Sequence, residues 1–205
     1  MTPTLALEQA MLHPDYDRFI ARVRQATPVA LVDQLDAAAT QATRVATTAA
    51  RFTGGCDAGV ATAADLPGWL RLGLLDALTR WADGKATTCR HSPDPDRPEP
   101  VLTAAWKPGL VTCIRCAHLW SLGRRANLTC DCCGAICPPD RMNPGMTQFG
   151  ALIFQYGTCD DCRPSVASNN PLSATLPAEQ DAARGTGRAS PRGGRGCSRG
   201  KGGRR

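Results

Sequence analysis

The chain has 205 residues, of which 5 % are aromatic and 11 are cysteine. So few large side chains leave little apolar volume for a core, which indicates that something besides burial stabilises part of the fold. The sequence has no run of about 18 apolar residues and no basic, apolar leader, which argues against a membrane or secreted protein. We expect a cytoplasmic protein, in which thiols stay reduced and clustered cysteines more often bind metal than form disulfides.

Charge and composition divide the chain into three parts. Residues 1–85 are rich in Ala, Leu and Thr and predict a helical region, whereas residues 86–162 contain nine of the cysteines. Residues 163–205 carry 9 Lys and Arg against 2 Asp and Glu, with few apolar side chains, and are predicted to be a disordered Arg/Gly-rich tail. The fold class is therefore a small α+β protein: helices, a two-zinc ribbon-like module and a tail.

Two helices are predicted first. The stretch "PDYDRFIARVRQA" places Phe19, Ile20 and Val23 on one face and ends at Thr27, which can cap the next helix. That next helix ends at Gly54-Gly55, and its apolar positions recur every seven residues: Leu31, Leu35, Ala38, Ala42, Val45, Ala49 and Phe52. The repeat fits an intramolecular helical hairpin, which we expect, or a homodimer through residues 28–53.

A third helix follows Asp65 and ends at Gly84. Its apolar face consists of Leu70, Leu74, Leu78 and Trp81. We expect this face to pack against the second helix, although a groove on a partner is an alternative.

Four short pairs of metal-ligand residues follow in the middle part. They are Cys89-x-His91, Cys113-x-x-Cys116, Cys130-x-x-Cys133 and Cys159-x-x-Cys162. Zinc in structural sites takes four thiolate or imidazole ligands, so eight residues predict two Zn²⁺ ions per chain. Joining neighbouring pairs gives one site of Cys89, His91, Cys113 and Cys116 and another of Cys130, Cys133, Cys159 and Cys162. A cross-braced arrangement uses the same residues and stays open.

Each predicted site contains a long gap with similar features. Pro108-Gly109 and Pro144-Gly145 predict turns, and the β-prone runs "LVTC" and "ALIFQYGTC" lead into the next pair. This pattern indicates a zinc-ribbon-like unit, loosely repeated. We expect Trp120 to be partly exposed.

Several alternatives remain for the thiols. His118, Cys132 or Cys137 could replace a named ligand, and a site of four cysteines also suits iron, as in rubredoxin-like electron carriers. Cys56 and Cys197 are unassigned. No Glu lies between Cys113 and Cys162, so an open catalytic zinc site with a nearby general base is not expected, and we expect no enzyme.

The order "CRH…WKPGLVTCIRC…CDCCG…CDDC" resembles a family of small uncharacterised proteins from high-GC Gram-positive bacteria. The resemblance covers residues 86–162 and implies metal binding by the eight residues named above. It implies no activity.

The sequence is consistent with two functions. The first is a protein-interaction or adaptor module with structural zinc and an unknown protein partner. The second is a nucleic-acid-associated zinc protein, whose basic tail would bind phosphates without sequence selectivity. Outside the tail, only Arg124 and Arg125 offer a basic patch.

Overall fold

The computed structural model describes residues 2–53, 57–60, 65–121 and 128–167. These residues form an α+β fold, as predicted. Cys56, Cys197, Arg124 and Arg125 lie outside the described residues, as does most of the predicted tail. No described helix has the length and apolar character needed to cross a membrane.

The helices lie mostly in the first half of the chain, and the strands follow them. The helices are α1 (Pro3–Met11), α2 (Tyr16–Ala26), α3 (Val29–Thr53), α4 (Gly68–Ala82) and the short α5 (Arg163–Ala167). The strands are β1 (Asp57–Val60), β2 (Thr87–Thr88), β3 (Val101–Ala104), β4 (Leu110–Cys113), β5 (Met142–Phe149) and β6 (Leu152–Cys159). Two 3₁₀ segments, Ile114–Trp120 and Pro139–Arg141, connect strands.

The strands form one mixed sheet in the order β1-β5-β6-β3-β4-β2. β5 and β6 form an antiparallel hairpin, and β3 pairs parallel to β6 and antiparallel to β4. The very short β2 pairs parallel to β4 at one edge, and β1 pairs parallel to β5 at the other. The strands that lead into the two predicted sites, β4 and β6, therefore belong to the same sheet.

Helices cover both faces of this sheet. Leu152, Phe154 and Tyr156 of β6 pack with α4, while Ile153 packs with α3. Because successive side chains of a strand point to opposite faces, α4 and α3 lie on opposite sides of the sheet. Residues on both sides of the predicted boundary at residue 86 thus share the same core.

The apolar face of α4 is confirmed, but its predicted neighbour is wrong. Leu70, Leu74 and Trp81 are buried. They pack against the sheet and α1 instead of against α3. The reason is that the short strands offer a continuous apolar surface only after they pair, which the periodicity of a single segment does not reveal.

Part of the seven-residue repeat of α3 packs against the sheet. Ala38 and Ala42 of the repeat are buried, as is Ala46 outside it, and Ala42 and Ala46 pack against strand residues. Gln148 of β5 donates a 2.8 Å hydrogen bond from Nε2 to the Ala39 carbonyl, which fixes α3 over the sheet. Small alanines suit this position because they let the helix backbone approach the strands closely. The homodimer through residues 28–53 stays a prediction.

Three smaller predictions are corrected. Thr27 does not cap α3, because its hydroxyl donates to the Val23 carbonyl at 2.8 Å and so closes the end of α2. Trp120 is only 5 % exposed, and its indole Nε1 donates to Thr112 Oγ1 at 2.8 Å. The predicted tail begins with α5, whose Val166 is buried in the core.

The predicted turn at Pro144-Gly145 is also wrong, since both residues lie inside β5. The chain reverses instead at Gly150, whose φ of 57° lies in the left-handed region. Gly145 is needed for another reason: a Cβ there would lie 2.2 Å from Cε2 of Tyr156, whose ring covers the glycine. The turn at Gly109, with a φ of 84°, comes directly before β4 as expected.

Candidate metal centres

The first group, site one, forms where β2 meets β4. Cys89 directly follows β2, and Cys113 is the last residue of β4. Parallel pairing of Thr88 with Val111 brings the two cysteines side by side, with their Sγ atoms 3.8 Å apart. Cys116 lies in the following 3₁₀ segment, which turns its thiol back toward the same point.

His91 completes site one. Its Nδ1 lies 3.5 Å from Cys113 Sγ and 3.3 Å from Cys116 Sγ. The chain turns sharply here, because Ser92 has a φ of 44° and donates its N–H to the Cys89 carbonyl at 2.8 Å. The four possible ligand atoms all lie within 4.8 Å of one another, with the three sulfurs buried and the imidazole exposed.

Opposing effects act on the thiols of site one. Burial acts to raise the pKa of Cys89, but hydrogen bonds from the backbone N–H groups of Cys113 and His91 hold that pKa below its usual value. Burial raises the pKa of Cys116 to about 11, helped by the neighbouring thiols of Cys89 and Cys113. The pKa values of Cys89 and Cys116 are thus shifted in opposite directions within one group.

The second group, site two, lies at the end of the β5–β6 hairpin. Cys159 is the last residue of β6, and its backbone N–H donates to Cys130 Sγ at 3.3 Å. Cys133 Sγ lies 3.9 Å from Cys159 Sγ, and Cys162 follows in the turn that precedes α5. The four sulfurs again lie within 4.8 Å of one another.

A tight turn at residues 130–135 presents the first two sulfurs of site two. Gly134 has a φ of 73°, which glycine adopts without strain, and its N–H donates to the Cys130 carbonyl at 2.8 Å. Cys130 in turn donates its N–H to the Ala135 carbonyl at 2.8 Å.

The turn of site two is attached to β6 by Asp131. Its N–H donates to the Gly157 carbonyl at 2.8 Å, and its carboxylate accepts the Gly157 N–H at 2.6 Å. Burial raises the pKa of Asp131, and the hydrogen bond from Gly157 opposes that shift. The sequence analysis did not predict this role of Asp131, although a short acidic side chain in a tight turn commonly forms a side-chain to backbone hydrogen bond.

In site two, the pKa values of Cys130 and Cys162 are shifted in opposite directions. Burial acts to raise the pKa of Cys130, but backbone N–H groups of Cys133, Cys159 and Cys132 lower it to about 7. The pKa of Cys162 is raised, first by its hydrogen bond with Cys159 and then by burial. The pKa values of Cys130 and Cys162 are thus shifted in opposite directions, like those of Cys89 and Cys116 in site one.

The structure groups the eight predicted residues as sequential pairing does. Cys89, His91, Cys113 and Cys116 form one group, and Cys130, Cys133, Cys159 and Cys162 form the other. His118 is exposed and outside site one. Four sulfur or imidazole donors converging on one point can hold a metal ion, so two metal sites per chain are compatible with the fold. The identity of the ion stays a prediction.

Comparisons with known proteins give this chain no family. No protein-family model, curated protein or solved structure was found to match it. The resemblance of residues 86–162 to a family of proteins from high-GC Gram-positive bacteria thus stays a prediction. The function is therefore argued from the two groups of possible metal ligands.

Proposed function

We propose that the chain is a non-enzymatic zinc protein, in which two Zn²⁺ ions stabilise a rigid platform for a protein partner. The observation that carries the proposal is the convergence of two complete sets of four ligands, each drawn from two distant segments. Cys89 and Cys113 are 24 residues apart, and Cys133 and Cys159 are 26 apart. An ion at each point joins these segments, which is the usual task of structural zinc.

The ligand types support zinc over iron. Site one offers three sulfurs and one imidazole nitrogen, a combination common in structural zinc sites, whereas a single iron of the rubredoxin type is held by four sulfurs. Site two, with four sulfurs, suits either ion. The electron-carrier alternative is therefore restricted to site two.

Metal analysis tests the zinc assignment. We expect two zinc per purified chain, and we expect a strong chelator to abolish the near-UV circular dichroism of Trp120 and its surroundings, because metal binding and folding are coupled in such sites. The variant His91→Ala should retain one ion, and the matched variant His118→Ala should retain two. One zinc in the wild-type chain, or iron in place of zinc, would contradict the proposal.

An exposed apolar surface supports the adaptor role. Phe19 and Val23, four residues apart on one face of α2, are 57 % and 43 % exposed. None of the residues of α2 is buried. A helix with an apolar face and no buried residue gains little from its own fold, so covering this face by another protein is favourable.

The partner surface is tested by charge insertion. We expect the double variant Phe19→Asp/Val23→Asp to fold normally but to lose self-association in sedimentation or to lose bound proteins in a pull-down. Gln25→Asp, an exposed change on the same helix, is the control. A monomeric wild-type chain that captures the same proteins as the double variant would rule out this surface.

The nucleic-acid alternative depends on the positive charge of residues 163–205. It would use the tail for contacts to phosphates and the zinc platform for attachment to another protein. It is the second candidate because the charge lies in the tail and not at the two ligand groups.

A further inference from the structure

One side of α2 faces the rest of the fold, and the neighbouring side faces solvent. Tyr16 packs against the buried cluster around α4, and Ile20, one turn further along, is half-buried. Phe19 and Val23 are exposed. Because each residue of an α-helix is rotated by about 100° from the one before it, Phe19 and Val23 form a short stripe beside the side that carries Ile20. We call these two residues the α2 stripe.

The three arginines of α2 differ in their partners. Arg24 donates from Nη2 to Asp36 Oδ2 of α3 at 2.6 Å, so the fold itself supplies its counter-charge. Arg18 and Arg22 are exposed, and no carboxylate among the described residues forms an ion pair with either. They are four residues apart, a spacing at which like charges on a helix repel each other. This pair therefore gains from a negative charge supplied from outside the described fold.

Arg18 and Arg22 lie along the solvent edge of the α2 stripe. Arg22 is rotated by about 60° from Phe19, away from Ile20, and Arg18 by about 40° more. Asp17, the one acidic residue of α2, is rotated by about 160° from Phe19 and so lies on the opposite side of the helix. The surface is thus an apolar stripe with a positively charged border, which we call the arginine border.

A second copy of α2 does not match this surface. Two identical antiparallel helices that face each other through the stripe are related by a two-fold axis perpendicular to both helices. This axis places both arginine borders on the same side of the pair, where four positive charges repel one another. In a parallel pair, each border instead meets the side on which the other copy's own fold lies. A partner with carboxylates beside its apolar residues has neither problem.

We propose that the α2 stripe and its arginine border bind an acidic amphipathic helix of another protein. Apolar side chains of that helix cover Phe19 and Val23, and two of its Asp or Glu side chains pair with Arg18 and Arg22. The inference rests on the proposed function for the existence of a protein partner, and it adds the chemistry of the partner's surface.

The test measures binding of a labelled synthetic helix to the full-length chain by fluorescence anisotropy. The peptide has leucine on one face and glutamate on both borders, and a scrambled peptide of the same composition measures attraction to the basic residues 163–205. We expect the helix to bind more tightly than the scrambled peptide. Arg18→Gln/Arg22→Gln should weaken its binding about tenfold, because two ion pairs are lost. Arg44→Gln/Arg97→Gln, which removes the same charge from two other exposed positions, should bind like the wild type.

Thermal unfolding separates loss of binding from loss of structure. The variant Arg18→Gln/Arg22→Gln should unfold at the wild-type temperature or slightly above it, because the repulsion between the two arginines is removed. A marked fall in that temperature, with binding reduced only in proportion to the unfolded fraction, would contradict a role of the arginines in binding.

The remaining outcomes distinguish this inference from the proposed partner surface. Phe19→Ser/Val23→Ser should also lose binding of the helix. If it does, while Arg18→Gln/Arg22→Gln binds like the wild type, the apolar surface is correct and the acidic partner is wrong. Equal binding of the helix and the scrambled peptide would overturn the inference. Binding to vesicles of phosphatidylserine that needs both arginines, with no such dependence for the helix, would assign the surface to anionic lipid instead.

Discussion

Cys130→Ser is expected to remove the metal ion of site two and to unfold the end of the β5–β6 hairpin. Cys130 is 1 % exposed, and its sulfur accepts the backbone N–H of Cys159. Structural Zn²⁺ contributes an apparent binding free energy of about 10–16 kcal/mol. The whole stability of a domain is about 5–15 kcal/mol, so the loss of one ion is large on that scale. The zinc content should fall from two ions to one, with a large loss of thermal stability.

Cys132→Ser is the matched control for that prediction, since it also replaces a thiol by a hydroxyl, two residues further along the chain. We expect it to keep two zinc ions and a thermal midpoint close to that of the wild type, because Cys132 lies outside the four-sulfur group. If Cys132→Ser loses the ion and Cys130→Ser keeps it, the ligand assignment of site two is wrong.

Gly145→Ala should destabilise the sheet without touching either metal site. The added Cβ would lie 2.2 Å from Cε2 and 2.4 Å from Cζ of Tyr156. That ring is 3 % exposed and packs edge-on against Trp69 with a centroid distance of 5.8 Å, so it has little space to move aside. Overpacking of this kind costs about 3 kcal/mol, which chemical denaturation measures directly.

Two further variants test whether the contact with Tyr156 causes the loss of stability expected for Gly145→Ala. Gly68→Ala places a methyl group at the start of α4, where the nearest atom is 3.9 Å away, and should be neutral or slightly stabilising. The double variant Gly145→Ala/Tyr156→Leu should lose less stability than the sum of its single changes, since both act on the same contact. Additive losses would show that the ring does not cause the effect.

Local patterns predicted the four short pairs, but left open which pairs come together in space. The two residues of each short pair are so close in sequence that their side chains can face the same metal ion. Gly134 marks a turn that needs a positive φ. The helices from Tyr16 to Ala82 were also readable, because their apolar residues recur with a helical period.

The sheet was harder to predict because its strands are defined by pairing with distant parts of the chain. Pro144-Gly145 has the composition of a turn, yet antiparallel pairing with β6 and the ring of Tyr156 place it inside a strand. β1 is four residues long and pairs with residues near Met146, far along the chain. Short strands of this kind carry almost no periodicity, and only their partners define them.

The sequence distances within the sheet bear on the order in which the chain can fold. Each ligand group closes a loop of about 25 residues, a modest entropic cost that a bound ion would offset early. The parallel contacts of β3 with β6 and of β1 with β5 join segments much further apart, and such contacts are slow to form. The two metal sites would therefore act as folding nuclei, and the edge strand β1 would be added last.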